Sequence, residues 1–114
     1  MDTQRIIDLI ADLEGEVNNG GFHQFFYNDA GNDTAEIIEA LRVIGATKMA
    51  DIVVRAASVF PSKMSPKDRV ARQDILLEKF PNSVAFRDLD EEFYDYPDDL
   101  RVLLAKYIER KACQ

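Results

Sequence analysis

The sequence has few of the residues that build disulfides and metal centres. Its 114 residues include one cysteine, Cys113, one histidine, His23, and no tryptophan. A lone thiol cannot form an internal disulfide, and a lone imidazole leaves zinc and di-iron sites short of ligands. The glycine patterns that cradle phosphates in nucleotide-binding proteins are also absent. We therefore expect no metal, no nucleotide and no other cofactor.

Long apolar runs and a signal peptide are missing as well. No stretch approaches the roughly 20 apolar residues that a membrane helix needs. The first twenty residues lack the basic and then apolar pattern of a secretory signal, which favours a cytoplasmic protein. The composition, 46% apolar and 31% charged, is typical of globular proteins, and no repeat or linker divides the chain. We therefore predict one helical domain over residues 1–114.

Basic residues are outnumbered by acidic ones. The chain has 14 lysines and arginines against 21 aspartates and glutamates, which gives a formal net charge of −7 at pH 7. Such a surplus of negative charge repels nucleic acid and anionic lipid and attracts basic proteins. The charge therefore argues against direct binding to nucleic acid or to a membrane, and it favours a basic protein as the partner.

Apolar residues recur along most of the chain at the spacing of amphipathic helices. No segment alternates apolar and polar residues in the way that a half-buried strand does. We therefore predict an all-α fold, a compact bundle of six or seven short helices. The predicted helices cover residues 6–17, 22–28, 33–44, 47–60, 65–80, 88–94 and 97–108.

Capping residues and prolines mark the ends of these predicted helices. A polar side chain before the first turn accepts a hydrogen bond from a free backbone N–H, and proline lacks the donor that continues a helix. We predict N-caps at Asp33, Thr47, Ser65 and Asp88, helical starts at Pro66 and Pro97, and helix ends before Pro61 and Pro81.

No residue pattern in the chain supports catalysis. His23 lies in an aromatic segment between Phe22 and Gln24 without a visible orienting partner, so we interpret it as structural. The acidic run at residues 88–99 resembles the start of a calcium loop, but Phe93 stands where that loop needs glycine. We therefore expect no catalytic residues and no enzymatic activity.

Two groups of acidic residues are the candidate partner-binding surface. The first three follow one another at steps of four residues, so they lie on one side of a helix, about 6 Å apart along its axis. The second group belongs to a run of seven acids between residues 88 and 99, from which we set aside three acids at predicted helix starts. The predicted contacts are Asp8, Asp12, Glu16, Asp90, Glu91, Glu92 and Asp95.

Basic residues gather around the middle of the chain. Lys63, Lys67, Arg69 and Arg72 form a predicted basic patch near the turn that precedes the fifth predicted helix. A surface with separate acidic and basic regions suits self-association or a partner of mixed charge. A homodimer is therefore among the predictions.

Several segments resemble a bacterial family of small acidic helical proteins. The resemblance includes the run Asn-Asn-Gly-Gly-Phe-His-Gln-Phe-Phe-Tyr-Asn at residues 18–28, of which Asn-Gly-Gly-Phe-x-Gln is the most specific part, and it continues through residues 34–41, 44–46 and 98–100. The family is largely of unknown function and takes its working name from a DNA-mimic protein. The resemblance implies binding to a DNA-binding protein, such as a transcription regulator, through carboxylates placed where DNA carries phosphates.

The most specific segment of the resemblance is not acidic. We interpret it as a structural corner, in which glycines make the turn, a phenylalanine enters the core and amides bond to backbone groups at helix ends. The same residues equally suit the wall of a small pocket. These motif residues are Asn19, Gly20, Gly21, Phe22, Gln24 and Asn28.

Three alternatives to a DNA mimic stay open at this point. An immunity-type inhibitor of a basic nuclease toxin would use the same electrostatics. A domain that binds a small ligand or a peptide would use a pocket around Phe22, Gln24, Phe26 and Asn28. In the third alternative the aromatic residues form only core, one exposed edge is a homodimer face, and the acidity confers solubility.

Overall fold

The computed structural model describes residues 1–114 and contains six α-helices, two short 3-10 turns and no strand. The α-helices are α1 (Thr3–Tyr27), α2 (Thr34–Val43), α3 (Thr47–Ala57), α4 (Arg69–Lys79), α5 (Arg87–Tyr94) and α6 (Leu100–Ala112). The 3-10 turns are Asp29–Asp33, between α1 and α2, and Ser83–Phe86, between α4 and α5. None of the helices combines the length and the apolar composition that crossing a bilayer requires. The predicted all-α bundle is confirmed.

Helix α1 contains a sharp break. Gly20 has φ −152° and ψ 19°, and Gly21 has φ +73° and ψ −173°, a conformation open almost only to glycine. The break divides α1 into a first arm, residues 3–19, and a second arm, residues 22–27. The predicted stop at the two glycines is confirmed, and the helix resumes directly after it.

The second arm of α1 carries the aromatic centre of the core. Phe22, Phe25 and Phe26 are fully buried, and the ring of Phe26 lies 5.0 Å from that of Phe60 and 5.6 Å from that of Phe86, between centroids. Burying one such ring stabilises the fold by about 1.5 to 3 kcal/mol. The first arm buries Ile6, Leu9, Ile10, Leu13 and Val17. Both arms are therefore anchored through their apolar faces.

The start of α3 is capped by a distant residue. The helix begins at Thr47, but the predicted cap at Thr47 is wrong, since the residue before the helix is Ala46 and no local side chain caps it. Instead, the Oδ2 atom of Asp98 accepts a hydrogen bond from the N–H of Met49 at 2.9 Å. The acceptor that α3 needs is supplied by the segment that leads into α6.

Helices α4 and α6 each begin three residues after the proline predicted to open them. Asp68 caps α4 and Asp99 caps α6, by accepting a first-turn backbone N–H at 2.9 Å and 3.2 Å. The predictions of Ser65 as a cap and of Pro66 and Pro97 as first helical residues are therefore wrong. In both cases an aspartate closer to the helix provides the acceptor.

Asp33 and Asp88 do not act as caps either. Asp33 stands directly before α2, but its side chain makes no capping bond and lies 3.2 Å from a guanidinium nitrogen of Arg5. Asp88 lies inside the first turn of α5, because that helix begins one residue earlier, at Arg87. Its negative charge still stabilises the start of α5, because the amino-terminal end of a helix dipole is positive.

The predicted basic patch does not form. Arg72 is fully buried, and Arg69 pairs with Asp29 at 2.9 Å, so only Lys63 and Lys67 are left exposed without an ion pair. Arg72 donates hydrogen bonds of 2.7 to 3.0 Å to the carbonyl oxygens of Phe26, Asn28, Pro66 and Lys67 and to Oδ1 of Asn32. The homodimer, which this patch favoured, stays a prediction.

Candidate acidic interaction surface

The first predicted acidic group lies on an outer side of the first arm of α1. Asp8 and Asp12 are exposed, and Glu16 is half-buried. This side of the arm faces the 3-10 turn Asp29–Asp33 across a shallow depression. The depression measures about 300 Å³ and is lined by Asp12, Glu16, Asn28, Asp29, Ala30 and Arg69. The acidic row therefore continues from the helix onto the turn.

Three acids from the turn and from α2 extend the row. Arg5 lies 3.2 Å from Asp33 and 3.0 Å from Glu36, and a second arginine on α4 pairs with Asp29. Lys67 lines a depression together with Asp33 and Glu36, so six carboxylates against three positive charges leave three negative charges in excess. We call these residues the acidic surface: Asp8, Asp12, Glu16, Asp29, Asp33 and Glu36.

The carboxylates of the acidic surface repel one another. The pKa of Asp12 is raised, first by partial burial and then by the negative charges of Asp8 and Asp33. The pKa of Glu36 is lowered by its hydrogen bond from Arg5. Like charges at a spacing of four helical residues cost a few tenths of a kcal/mol each. A cation that approaches Asp12 relieves this repulsion, so the surface favours positively charged partners.

The second predicted acidic group does not form a single surface. Asp90 is only 9% exposed, and its Oδ1 atom accepts a hydrogen bond from the N–H of Phe22 at 2.8 Å. Asp90 is therefore not a surface contact, because α5 directs its side chain toward the break in α1. Asp98 and Asp99 are occupied as the caps of α3 and α6.

The remaining acids of α5 divide into a paired residue and an exposed row. Glu92 forms a two-bond pair with Arg55, at 2.7 and 2.8 Å, and this pair lowers the pKa of Glu92. Asp88, Glu91 and Asp95 are exposed and have no ion pair. They are three and then four residues apart, so they share one side of α5. We call these three residues the α5 row.

Glu16 also holds the corner between the two arms of α1. Its Oε2 atom accepts hydrogen bonds from Nε2 of Gln24 at 2.8 Å and from Nδ2 of Asn28 at 2.9 Å. Nδ2 of Asn19 donates to the amide oxygen Oε1 of Gln24 at 3.2 Å. The motif amides thus lie in the corner, where they bond to a carboxylate and to each other and not to the backbone groups that we expected.

Asp90 holds the inner side of the same corner. Phe22 opens the second arm, where backbone N–H groups lack helical acceptors, and Asp90 supplies one from α5. A Cβ atom on Gly21 would lie 2.5 Å from Oδ2 of Asp90. The glycine therefore gives the turn its conformation and also makes room for the carboxylate.

The burial of Asp90 predicts a pH dependence of stability. Burial raises the pKa of Asp90 above 3.8, and the bond from Phe22 only partly offsets this. Its contribution to stability is therefore full below its unfolded pKa and is lost as the pH rises through the raised value. In Asp90→Asn the side chain keeps an acceptor oxygen but does not titrate.

Between about pH 3 and pH 7 we expect the parent to lose the stability that protonated Asp90 contributes, whereas Asp90→Asn does not lose it. The free energy of unfolding of the variant should therefore rise relative to that of the parent as the pH rises. Urea unfolding of both proteins at the two pH values measures this difference. A difference that stays constant, or that moves toward the parent, would contradict the expected role of Asp90.

The aromatic residues of the motif do not line a pocket. Phe22 and Phe26 are packed in the core, and none of the four depressions on the surface includes either of them. The ligand-pocket alternative therefore lacks the apolar walls on which it depended. His23 lies with Nε2 2.9 Å from the carbonyl oxygen of Phe80 and stacks on Tyr27, contacts that suit a structural histidine.

The sequence pattern did not assign Asp29, Asp33 and Glu36 to the surface. They belong to a segment after the first arm of α1, and the capping pattern assigns Asp33 to a helix start. The available signal was the short connection between α1 and α2, because short connections place consecutive helices side by side. Acids near the start of α2 then lie beside the first arm.

Comparison with known proteins supplies one match. A family model described as DMP19-like protein matches residues 2–111. No curated protein matches the chain, and no solved structure does. The match spans both arms of α1, the acidic surface and the α5 row.

Proposed function

Since the chain belongs to the DMP19-like family, we propose that it is an acidic protein-interaction module that acts as a DNA mimic. The proposed partner is a basic DNA-binding protein of the cytoplasm, such as a transcription regulator, whose DNA-binding face is occluded. The acidic surface is the observation that carries this proposal, since α1, the 3-10 turn and α2 bring six carboxylates to one side. In this role the chain has no enzymatic activity and no cofactor.

The spacing of the carboxylates supports mimicry. Asp8 and Asp12 are one helical turn apart, which is about 6 Å along the axis, and the α5 row has steps of about 4.5 and 6 Å. Phosphates follow one another every 3.4 Å or so along the axis of one DNA strand. A basic face that neutralises phosphates therefore meets discrete negative charges between one and two phosphate steps apart.

The rigidity of the corner also supports recognition by charge. Glu16 and Asp90 hold the break in α1 from its two sides, and the first arm is anchored in the core. Carboxylates on a fixed helix lose little conformational freedom when a partner binds. A homodimer would present two such surfaces, and light scattering at several concentrations measures whether it forms.

Capture from native lysate at low salt tests the partner class. Exposed charge pairs are screened beyond about 8 Å at physiological ionic strength, so a partner held by the acidic surface elutes as salt rises. We expect a DNA-binding protein that duplex DNA displaces from the immobilised chain. A captured nuclease that the chain inhibits would favour an immunity-type inhibitor instead, and recovery of no basic protein would contradict both functions.

Removal of two carboxylates tests the surface itself. We expect Asp8→Asn combined with Asp12→Asn to weaken binding to the captured partner by about three- to tenfold, since exposed charge pairs contribute up to about 1 kcal/mol each. The fold is not weakened, because the substitutions relieve repulsion along α1. Glu16 is left unchanged because it holds Gln24 and Asn28. Titration calorimetry at two salt concentrations measures the change.

A charge-matched variant separates the surface from net charge. Glu39→Gln combined with Glu109→Gln removes the same two charges at exposed positions of α2 and α6, outside the acidic surface and without ion pairs. We expect this variant to bind like the parent. Equal weakening by both double variants would mean that net charge alone drives binding, and would overturn the assignment of the surface.

A further inference from the structure

Helix α4 exposes an apolar stripe that the acidic surface does not use. Val70 and Leu77 are 60% and 58% exposed, and Val84 in the following 3-10 turn is 57% exposed. These are the most exposed of the large apolar side chains. Val70 and Leu77 are seven residues apart, so they lie on the same side of α4, about 10.5 Å apart along its axis.

The stripe of Val70 and Leu77 faces outward because α4 packs against the core mainly through residues on its opposite side. Only Arg72 and Leu76 of this helix are buried. Gln73, between the two apolar residues, donates through Nε2 to the carbonyl oxygen of Tyr27 at 2.7 Å. This bond places the carbonyl end of α1 beside α4, and Tyr27 at that end is 37% exposed.

Two uncompensated acids flank the stripe along one side. Asp74 and Glu78 are exposed, one helical turn apart, and neither forms an ion pair. Their position in the helical repeat places both on the same edge of the face that Val70 and Leu77 form. An apolar stripe with a negative edge is complementary to a helix that has an apolar stripe with a basic edge.

We propose that this face of α4 is a docking surface for an amphipathic helix of a basic partner protein. The apolar side of that helix covers Val70 and Leu77, and its lysines or arginines lie along Asp74 and Glu78. A second copy of this chain fits the face less well. In an antiparallel two-fold pair of α4 helices, the acids of both copies fall on the same edge and repel each other. This docking surface does not depend on the proposed DNA mimicry.

A synthetic helix tests the proposal without knowledge of the natural partner. The probe is a peptide of about 18 leucines and lysines, with leucine at the spacing of one helical face, and the control is a scrambled peptide of the same composition. We expect amide chemical shifts of the labelled protein to change mainly in residues of α4 and at Tyr27. Shifts confined to the acidic surface, or equal shifts with the scrambled peptide, would overturn the proposal.

Matched variants identify the contacts. We expect Val70→Ser with Leu77→Ser to bind the probe about tenfold more weakly, whereas Val102→Ser with Ile108→Ser, at similarly apolar but less exposed positions of α6, binds like the parent. Unchanged binding by the α4 variant would overturn the proposal. A second result would also overturn it: the parent self-associates, the α4 variant does not, and neither binds the peptide. In that case the face is covered by a second copy of the chain.

The negative edge has its own pair of variants. We expect Asp74→Asn with Glu78→Gln to weaken probe binding about threefold, and the charge-matched Glu39→Gln with Glu109→Gln, outside both acidic regions, to leave it unchanged. Equal weakening by both pairs would show non-specific attraction of the cationic peptide, and would overturn the assignment to α4. Asp8→Asn with Asp12→Asn tests the captured partner and these variants test the peptide, so the two proposals can fail separately.

Discussion

Replacement of Arg72 with alanine is expected to lower the free energy of unfolding by about 4 kcal/mol. The guanidinium group is fully buried and serves five neutral acceptors, which are four backbone carbonyls and the amide oxygen of Asn32. Without it these acceptors lose the hydrogen bonds from Arg72, although the carbonyl of Asn28 still accepts one from the N–H of Gly31. A cavity is also left between α4, the end of α1 and the first 3-10 turn. The free energy of unfolding of a small domain is only about 5 to 15 kcal/mol in total, so the variant is close to unfolding.

Urea unfolding of three proteins measures this effect. Arg72→Lys keeps the positive charge but loses the planar fork of donors, and we expect it to recover about half of the loss. Arg101→Ala, at an exposed position of α6, should change the free energy of unfolding by less than about 0.5 kcal/mol. A loss below about 1 kcal/mol in Arg72→Ala would mean that water replaces the guanidinium group, and the role assigned to Arg72 would be wrong.

Gly21→Ala is expected to lower the free energy of unfolding by about 3 kcal/mol. A conformation with φ +73° and ψ −173° costs a residue with a side chain about 1 to 3 kcal/mol. The added methyl group would also lie 2.5 Å from the carboxylate of Asp90, which is buried and cannot move aside freely. Displacing that carboxylate removes the acceptor of the Phe22 N–H.

The same substitution at Gly15 should have the opposite sign. Gly15 lies inside the first arm of α1, and a Cβ atom there would have no other atom within 4 Å. Alanine in a helix interior is more stable than glycine by about 0.5 to 1 kcal/mol, so Gly15→Ala should stabilise the protein by that amount. Thermal and urea unfolding of both variants give the comparison. Similar effects at the two positions would contradict the role of Gly21 in the corner.

Features set by neighbouring residues in the chain could be predicted from the sequence. The apolar periodicity of Ile6, Leu9 and Leu13 predicts the first arm of α1, and the pair Gly20-Gly21 predicts its end. The exposed position of Asp8 and Asp12 also follows from the same helical repeat. In each case the determining interaction lies within one or two helical turns.

Features set by contacts between distant segments could not be predicted in this way. Arg72 was grouped with exposed bases, since nothing in its neighbourhood shows that carbonyls more than 40 residues away converge on it. Asp90 was grouped with exposed acids, although Phe86 and Phe93 share its side of the chain at helical spacing and marked that side as buried. The burial of a charged residue on an apolar face can be predicted only when its hydrogen-bond partner is known. For Asp90 that partner is a backbone N–H of α1.

The bond from Met49 to Asp98 joins two segments that are synthesised at different times. The N–H donor of α3 is synthesised 49 residues before its acceptor. At about 5 to 20 residues per second, the start of α3 waits about 2.5 to 10 seconds for the carboxylate that caps it. The adjacent Asp99 starts α6, so the beginning of the last helix and the closing of the third occur at the same stage of translation. A nascent chain that has not reached residue 98 lacks this acceptor, so the first turn of its third helix should fray.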